Sequence, residues 1–354
     1  MAKSILIFVY TSRSSFVKRD IEILSEDYDV KEFEFSQSSK FLLPFTFLRQ
    51  LIFLFQNKSA AVAVIQFGGY HSFLPVLLGG MLKIKTTVIA GGVDCVSYPE
   101  INYGYMGKPL IGLFAKYSFR NCDLILPKHD SLLYFRDTYN YENPFEQGLR
   151  HFIPELKTKF SVIHNGFDES VYYRTREKVP NTFVTAAFGL DDETNFKLKG
   201  IDLILKAASE LPQCTFKIIG GTSLKNKTSI PSNMILLPPM NQDELIAEYS
   251  KSEYYLQLSM SEGFPNAICE AMLCECIPIG SNVNSIPEII GDTGYILKQR
   301  KTGQLIKLIQ DVLNDNNTKK GSYCRDRIIQ EYNLTKRKVQ LLRQVSSLDN
   351  NTVH

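Results

Sequence analysis

Short apolar runs alternate with segments of helical pattern along the first half of the chain. Runs of strand length occupy residues 4–10, 28–35, 61–67, 86–90 and 123–127. Helical patterns at residues 17–24 and 73–82 separate some of them. Uninterrupted apolar strands are typical of parallel sheets that are covered on both faces. Strands that alternate with helices therefore predict a doubly wound parallel sheet.

The same alternation starts again in the second half. Strand patterns lie at residues 183–190, 215–219, 234–237, 254–258 and 277–279, with helical patterns at 201–209 and 243–249 and, towards the C-terminus, at 302–313, 322–332 and 335–347. The chain has 354 residues, more than one core usually holds. We predict an α/β fold with two doubly wound Rossmann-like domains, residues 1–164 and 165–333, that face each other across a cleft.

The pattern is less decisive between the domains. Residues 131–135 are interpreted as the start of a helix. Residues 139–154 contain Asn143-Pro144 and Gly148, so they are read either as an irregular loop on the acceptor side or as a disordered excursion. The sequence leaves these two alternatives open.

A long apolar stretch, residues 41–55, lies in a part of the chain that lacks acidic residues. No Asp or Glu occurs between Glu34 and Asp94, while the basic residues there include Lys40, Arg49, Lys58, Lys83 and Lys85. Pro44, Arg49 and Gln50 interrupt the stretch before it reaches the ~20 apolar residues of a spanning helix. We interpret it as a helix that is buried or lies on an anionic membrane surface, and both alternatives stay open.

Composition narrows the class of protein. The net charge of +3 is too small to indicate a nucleic-acid-binding protein. The seven cysteines are an odd number, and no signal peptide precedes the first strand. We therefore expect a reduced, cytoplasmic protein whose cysteines lie in its cores, with no zinc site and no other metal site.

The most informative stretch is SMSEGFPNAICEAM, residues 259–272, between a strand pattern and a helical pattern. Proline suits a first helical turn, so a helix is predicted to begin near Pro265 with its N-terminal amides free for an anion. Glu262 would lie at the carboxyl end of a strand, and Glu270 about 6 Å into the helix from Asn266. Carboxylates bind hydroxyl-rich ligands, so phosphate and hydroxyl groups together indicate a nucleotide sugar.

Two glutamates separated by seven residues, with EGFP in front and EAM behind, resemble the signature of retaining glycosyltransferases with the GT-B fold, especially glycosyltransferase family 4. In such enzymes a nucleotide sugar binds mainly to the second domain. The resemblance implies that Glu262 contacts the sugar hydroxyls and that Glu270 binds the ribose. It implies that the backbone of the turn holds sugar and phosphate, which here means Gly263, Phe264, Pro265 and Asn266.

Further parts of the second half carry the resemblance. Residues 165–168, NGFD, are similar to the passage at which the second domain of this family begins. Lys199-Gly200 opens a helix where the family places a lysine on the diphosphate of the sugar donor. The family's additional arginine is absent here, and Lys197 is the expected substitute. Because lysine neutralises the leaving diphosphate in this scheme, we expect no metal cofactor.

Three residues of the first half are candidates for the sugar or acceptor side. Arg13 follows the first strand, in a loop that is glycine-rich in relatives but has no glycine here. Asp94 follows Gly91-Gly92, where capping of the next segment is an equal alternative. His129 follows another strand, where a structural role is the alternative.

The chain departs from the family pattern at three glycines, which are replaced by Glu275, Asn284 and Ser285. In GT-B enzymes the last helix packs back on the first domain, and we expect this of residues 334–354. The resemblance implies transfer of a sugar from a nucleotide diphosphate donor with retention of configuration, in synthesis of polysaccharide or glycoconjugate. The expected acceptor is a glycan or a lipid-linked sugar. The lipid-linked acceptor, and a place at the inner face of a membrane, go with the membrane-surface interpretation of the acid-free stretch. A nucleotide-sugar epimerase, a phosphorolytic enzyme and a non-catalytic partner subunit remain alternatives.

Overall fold

The computed structural model describes residues 3–37, 40–224, 229–315 and 320–349. The first domain contains eight strands: β1 (Ile5–Tyr10), β2 (Asp29–Glu34), β3 (Val62–Gln66), β4 (Lys85–Ala90), β5 (Leu124–Pro127), β6 (Phe135–Asp137), β7 (Phe145–Gln147) and β8 (Lys159–Phe160). Its helices are α1 (Ser15–Leu24), α2 (Leu43–Gln56), α3 (Tyr70–Leu82), α4 (Pro109–Asn121) and α5 (Leu149–Phe152).

The first sheet is parallel, with the strand order β2-β1-β3-β4-β5-β8. Its two faces carry separate clusters of buried apolar side chains. Helices α2 and α3 and Tyr117 of α4 pack on one face. Helix α1 packs on the other. The continuous apolar strands of the sequence thus form a sheet that is covered on both faces.

The second domain repeats this architecture. Its strands are β9 (Val179–Ala186), β10 (Thr215–Ile219), β11 (Met234–Leu237), β12 (Ser252–Gln257), β13 (Ile277–Ser281) and β14 (Tyr295–Leu297). Its helices are α6 (Glu193–Leu198), α7 (Ile201–Glu210), α8 (Gln242–Lys251), α9 (Asn266–Leu273), α10 (Ile286–Ile290), α11 (Thr302–Asn314) and α12 (Gly321–Glu331). The second sheet has the strand order β11-β10-β9-β12-β13-β14, and all its strands are parallel. The buried apolar side chains of this domain form one large cluster. The prediction of two doubly wound sheets is confirmed.

The order of the second sheet defines where a ligand can bind. Strands β10 and β11 lie on one side of β9, and β12 to β14 lie on the other. The connections that leave β9 and β12 therefore diverge, and they open a crevice at the carboxyl ends of these two strands. The chain after β9 leads to α6 and Lys199, and the chain after β12 leads to Glu262. The two residues belong to opposite sides of this crevice.

The last helix, α13 (Leu334–Ser346), lies on the first domain. Leu341 and Val345 belong to the same apolar cluster as the β1 side chains. The Arg337 guanidinium donates two hydrogen bonds to the Asp20 carboxylate of α1, at 2.7 and 2.6 Å. Both side chains are buried, at 2% and 0% exposure. The last helix therefore joins the end of the chain to the first domain, and residues 350–354 lie outside the described part.

Two segments differ from the expectation. Residues 130–132 form a short 3-10 turn, and a strand follows where a helix was expected. Residues 139–154, read as an irregular loop or a disordered excursion, contain β7, which pairs antiparallel with β6, and the short helix α5. Asp137 accepts hydrogen bonds from the backbone of Tyr139 and Asn140, and this fixes the connection. Strands of two or three residues, such as β7, are too short to give a periodic signal.

The cysteines and the apolar stretch can now be placed. All seven cysteines are buried and unpaired in disulfides. Residues 43–56 form α2, which is buried on one face only. Among the described residues, no helix is both long and apolar enough to cross a bilayer.

Candidate active site

Glu262 lies just beyond β12, and polar side chains hold its carboxylate in place. Oxygen Oε1 accepts hydrogen bonds from Lys199 Nζ at 2.6 Å and from Ser259 Oγ at 2.8 Å. Gln257 Nε2 donates to the same oxygen at 3.2 Å. The exposed fraction is 14% for the Glu262 side chain and 29% for Lys199. The pair is thus partly shielded from water, and this strengthens its mutual attraction and its effect on any ligand.

The turn between α6 and α7 positions Lys199. Gly200 adopts a φ of 70°, in the left-handed region that favours glycine. A Cβ atom there would lie 2.3 Å from the carbonyl oxygen of Leu258. Only glycine fits at this position, because the turn packs directly on the chain that leads to Glu262. This close contact brings the lysine and the glutamate together.

The N-terminus of α9 is open to a ligand. The helix begins at Asn266, and Pro265 caps it without a side-chain hydrogen bond. Within the described chain, no protein atom accepts from the backbone N–H groups of Asn266 and Ala267. The Asn165 amide donates to the carbonyl of Phe264 and to Asn266 Oδ1, at 3.3 and 2.7 Å, and so fixes the turn. Free N–H groups and the helix dipole together favour an anion at this point.

Glu270 lies one turn further along α9. Burial raises the pKa of its carboxyl to about 6, while the Tyr172 hydroxyl and the Arg19 charge oppose this rise. Its negative charge therefore develops only near neutral pH. A carboxylate of this kind is a strong acceptor for ligand hydroxyl groups.

The two domains meet at the EGF turn. A Cβ atom on Gly263 would lie 1.7 Å from the carbonyl oxygen of Gly91, at the end of β4. The Asn140 amide of the first domain also donates to the carbonyl of Met260 at 2.7 Å. The candidate site thus lies where the carboxyl edges of the two sheets meet, and these contacts join the two domains there.

Part of the chain is similar to known glycosyltransferases. Residues 194–330 match the family described as Glycosyl transferases group 1. The D-inositol 3-phosphate glycosyltransferase of Mycolicibacterium smegmatis is 24% identical over 180 residues, which are 45% of this chain and 41% of the relative. The similarity therefore spans about two fifths of that relative.

The similarity to solved structures extends over nearly the whole chain. Sucrose-phosphate synthase from Thermosynechococcus elongatus has a TM-score of 0.71 at 13% identity, with 98% of this chain and 99% of that chain covered. Anabaena HepE in complex with UDP and glucose has a TM-score of 0.65 at 13% identity, with 97% and 100% covered. The chain has the GT-B glycosyltransferase fold.

In this GT-B cleft, two of the basic candidates have partners away from Glu262. Lys197 forms an ion pair with Glu193 one turn earlier on α6, at 3.4 Å. The Arg13 guanidinium donates to Glu32 on the edge strand β2, at 3.0 Å. Both residues stay predicted ligand contacts, and in this structure each is paired with a neighbouring glutamate. Lys199 is the lysine that faces Glu262.

The remaining first-domain candidates hold the GT-B cleft in shape. Asp94 is fully buried and accepts from the backbone N–H groups of Gly68, Gly91 and Gly92, between 2.9 and 3.0 Å. Its carboxylate therefore fixes the loops after β3 and β4, and its donors precede Asp94 rather than lie in the segment that the capping alternative named. His129 Nε2 lies 2.9 Å from Glu288 Oε2 of α10. It contacts the second domain, so its observed contact is structural.

Sequence reasoning missed Asn284 as part of the site. Its side-chain oxygen accepts from the backbone N–H of Glu262 at 3.2 Å, and its φ is 47°. Glu275, which also replaces a family glycine, has a φ of 62°. Asparagine tolerates this left-handed conformation better than most residues. Two of the three replaced glycines, at Glu275 and Asn284, were a usable signal, because they mark positions where the backbone has a positive φ; Ser285 has a φ of -81°.

The burial of Lys128, directly after β5, was not predicted from the sequence. This residue is 3% exposed, and its ammonium lies 3.8 Å from the centroid of the Phe16 ring. Burial lowers the pKa of this amine to about 7, and the Arg337 charge acts in the same direction. A lysine at the end of an apolar strand gives no sign of such burial in the sequence.

Proposed function

We propose that this protein transfers a sugar from a nucleotide diphosphate sugar to a glycan or lipid-linked acceptor with retention of configuration. The observation that carries this proposal is the Lys199–Glu262 pair beside the open N-terminus of α9. Retention rests on the resemblance of the Glu262–Glu270 motif to retaining enzymes. We further propose that the product belongs to a polysaccharide or glycoconjugate.

The proposed binding mode distributes the ligand over the cleft. The diphosphate lies at the N–H groups of Asn266 and Ala267, where the helix dipole and Lys199 offset its charge. Glu262 accepts hydrogen bonds from the sugar hydroxyls, and Glu270 accepts from the ribose. When no ligand is present, Lys199 and Glu262 neutralise each other. Binding exchanges this pair for phosphate and hydroxyl partners: Lys199 gains an anionic partner, and Glu262 gains hydroxyl donors in place of the ammonium.

Bond breaking follows from the same arrangement. The bond between the anomeric carbon and the phosphate oxygen breaks, and negative charge grows on the departing diphosphate. The acceptor hydroxyl oxygen forms the new bond to that carbon, and its proton passes to the departing diphosphate. Lys199 and the α9 amides are in place before this charge develops, and such preorganised groups stabilise a leaving anion. We propose that this stabilisation replaces a divalent metal ion, so that transfer continues in the presence of EDTA.

A screen of nucleotide sugars tests the proposal. The purified chain is heated with uridine, guanosine or adenosine diphosphate sugars, and the unfolding temperature is recorded. A ligand that binds the native protein raises this temperature. We expect a rise with one class of base and release of free nucleoside diphosphate only after an acceptor is added. The absence of any stabilisation by all three classes would overturn the proposal, and release of diphosphate without an acceptor would favour a different reaction.

Affinity for the nucleotide sugar should depend on pH through Glu270. The folded pKa of about 6 lies above the ordinary value of 4.5, so the protonated form predominates below pH 6. The charged acceptor binds ribose hydroxyls better, so affinity should rise roughly tenfold as the pH increases through 6. Glu270→Gln should give a flat, low profile in calorimetric titrations. A wild-type profile that is equally flat would contradict the role of Glu270.

The same pKa has a consequence for stability with the opposite sign. Because the folded pKa is raised, the folded state binds more protons than the unfolded state between pH 4.5 and 6. The contribution of Glu270 to folding is therefore present at low pH and is lost as the pH rises through the folded pKa. Binding and stability at this residue should respond to pH in opposite directions.

A further inference from the structure

Helices α2, α3 and α4 form one layer on the first sheet, which we name the outer helix layer. These three helices contain no Asp or Glu. Half of the exposed large apolar side chains of the described chain belong to this layer or to the turn before α2: Phe41, Leu42, Phe45, Leu48, Ile52, Phe55, Leu77, Met81, Leu110 and Leu113. A concentration of exposed apolar groups on one surface marks an interaction site rather than ordinary scatter.

Helix α2 contributes a continuous stripe to this surface. Phe45, Leu48, Ile52 and Phe55 recur at intervals of three and four residues, so they share one face of the helix. Their exposed fractions are 60%, 53%, 48% and 47%. The opposite face is buried on the sheet through Leu54 and its neighbours. The buried positions of α2 are Thr46, Gln50 and Leu54, so burial in the domain does not account for the apolar stripe on the exposed face.

The outer helix layer is firmly supported from below. Rings of all three helices pack against one another under the surface. The ring of Phe114, on α4, contacts rings of both other helices. Its centroid lies 6.0 Å from that of Phe47 on α2, and 5.3 and 4.6 Å from those of Tyr70 and Phe73 on α3. Such packing fixes the positions of the three helices. The exposed side chains are therefore displayed on a preformed surface.

Basic side chains accompany the apolar ones. Arg49 of α2, Lys58 after it, Lys83 after α3 and Arg120 of α4 are exposed, and Lys116 is half-buried. With no acid on these helices, the three helices themselves carry a net positive charge. A partner that fits this surface must accept apolar side chains and carry negative charge. A bilayer with anionic headgroups has both properties.

The outer helix layer lies next to the candidate site. In parallel α/β units a helix begins at the carboxyl edge of the sheet and runs back antiparallel to the strands. Helices α2, α3 and α4 follow β2, β3 and β4, so their N-termini lie at the edge that also forms the cleft. Exposed Phe45 and Leu110 lie in the first turns of α2 and α4. A surface seated on the layer would therefore lie beside the entrance of the cleft.

We propose that the outer helix layer docks the protein on an anionic membrane surface, with the α2 stripe inserted among the headgroups. This goes beyond the proposed function, because membrane binding requires neither sugar donor nor acceptor. A second copy of the chain fits the surface less well, since two positive faces would oppose each other. Docking would place the cleft where a lipid-linked acceptor is presented.

The natural chain contains no tryptophan, so a single introduced indole reports on one position. We would compare Leu48→Trp, in the α2 stripe, with Val339→Trp, a matched control on α13 whose side chain is 59% exposed. The full chain is mixed with vesicles of phosphatidylcholine alone or with added phosphatidylglycerol. The expected result is a blue-shifted, brighter emission for Leu48→Trp with the anionic vesicles only. Val339→Trp should not change.

Co-sedimentation with the same vesicles measures the contribution of each type of contact. Leu48→Glu should lower the partition coefficient about tenfold or more, because a buried leucine side chain is replaced by a charge. Arg49→Gln should lower it about fivefold. Val339→Glu should leave it unchanged, and added salt should weaken binding by the wild type. Circular dichroism confirms that each variant is folded, and Leu48→Trp provides a test that does not depend on a charged substitution.

Three outcomes would overturn the proposal. The first is a wild-type chain that stays in the supernatant with anionic vesicles. The second is equal binding to neutral and anionic vesicles, which would remove the role of the basic side chains. The third is a dimer, detected by sedimentation velocity, that Leu48→Glu dissociates while vesicles remain unbound. None of these results bears on nucleotide-sugar binding, so failure here is distinguishable from failure of the proposed function.

Discussion

Glu262→Gln is expected to lower the rate of sugar transfer about 10²- to 10³-fold, as for removal of one well-placed electrostatic group in an active site. The substitution keeps the shape of the side chain but removes the charge that Lys199 contacts at 2.6 Å. It also weakens the acceptor for sugar hydroxyls. Steady-state rates with the nucleotide sugar identified by the thermal screen would measure the loss.

Lys199→Met should cause a loss of similar size, mainly in kcat, because the lysine acts on charge that develops as the diphosphate leaves. The double variant should be little worse than either single one, since the two side chains form one network. Lys206→Met and Glu210→Gln, exposed on the neighbouring α7, serve as charge-matched controls with unchanged rates. Full activity of Glu262→Gln would show that this carboxylate is not part of the reaction.

Arg337→Leu is expected to lower the free energy of unfolding by about 3 to 5 kcal/mol, the range for removal of one partner from a buried ion pair. Asp20, which is 0% exposed, would lose both hydrogen bonds from the guanidinium and remain as an isolated buried carboxylate. The carbonyl of His164 would also lose its donor. Urea denaturation followed by circular dichroism gives the difference.

The neighbouring residue provides a matched control on the same helix, α13. Lys338 forms an exposed ion pair with Glu26 at 2.5 Å. Lys338→Leu should change stability by about 1 kcal/mol or less, because exposed pairs contribute little. Replacing both Asp20 and Arg337 by leucine should cost less than Arg337→Leu alone, since no buried charge is left uncompensated. Equal losses for Arg337→Leu and Lys338→Leu would contradict the importance of burial.

Much of the fold could be predicted because many of its strands are largely apolar runs of strand length. Residues 215–219 and 234–237 were placed as strands and are strands with those bounds. The helix predicted near Pro265 begins at Asn266. At these positions local pattern and tertiary burial agree, so periodicity is sufficient. The hairpin of β6 and β7 escaped because its order depends on Asp137 and on contacts with other segments.

The site was predictable at its centre and less so at its margin. The EGFP turn and Lys199 carry local signals of strand end, turn and helix start, which sequence reasoning can use. Arg13 pairs with Glu32, and Lys197 pairs with Glu193. Which acid each of these side chains pairs with depends on side-chain geometry in the folded protein. Asn284 lies 22 residues beyond Glu262 and reaches it only through the sheet.

The relation between α9 and a bound nucleotide sugar is the centre of this account. A crystal structure of the chain soaked with the stabilising nucleotide sugar would test it most directly. We predict diphosphate oxygens about 3 Å from the backbone nitrogens of Asn266 and Ala267, with Lys199 Nζ on the phosphate and Glu262 on the sugar hydroxyls. A nucleotide bound elsewhere, with the Lys199–Glu262 pair undisturbed, would contradict the account.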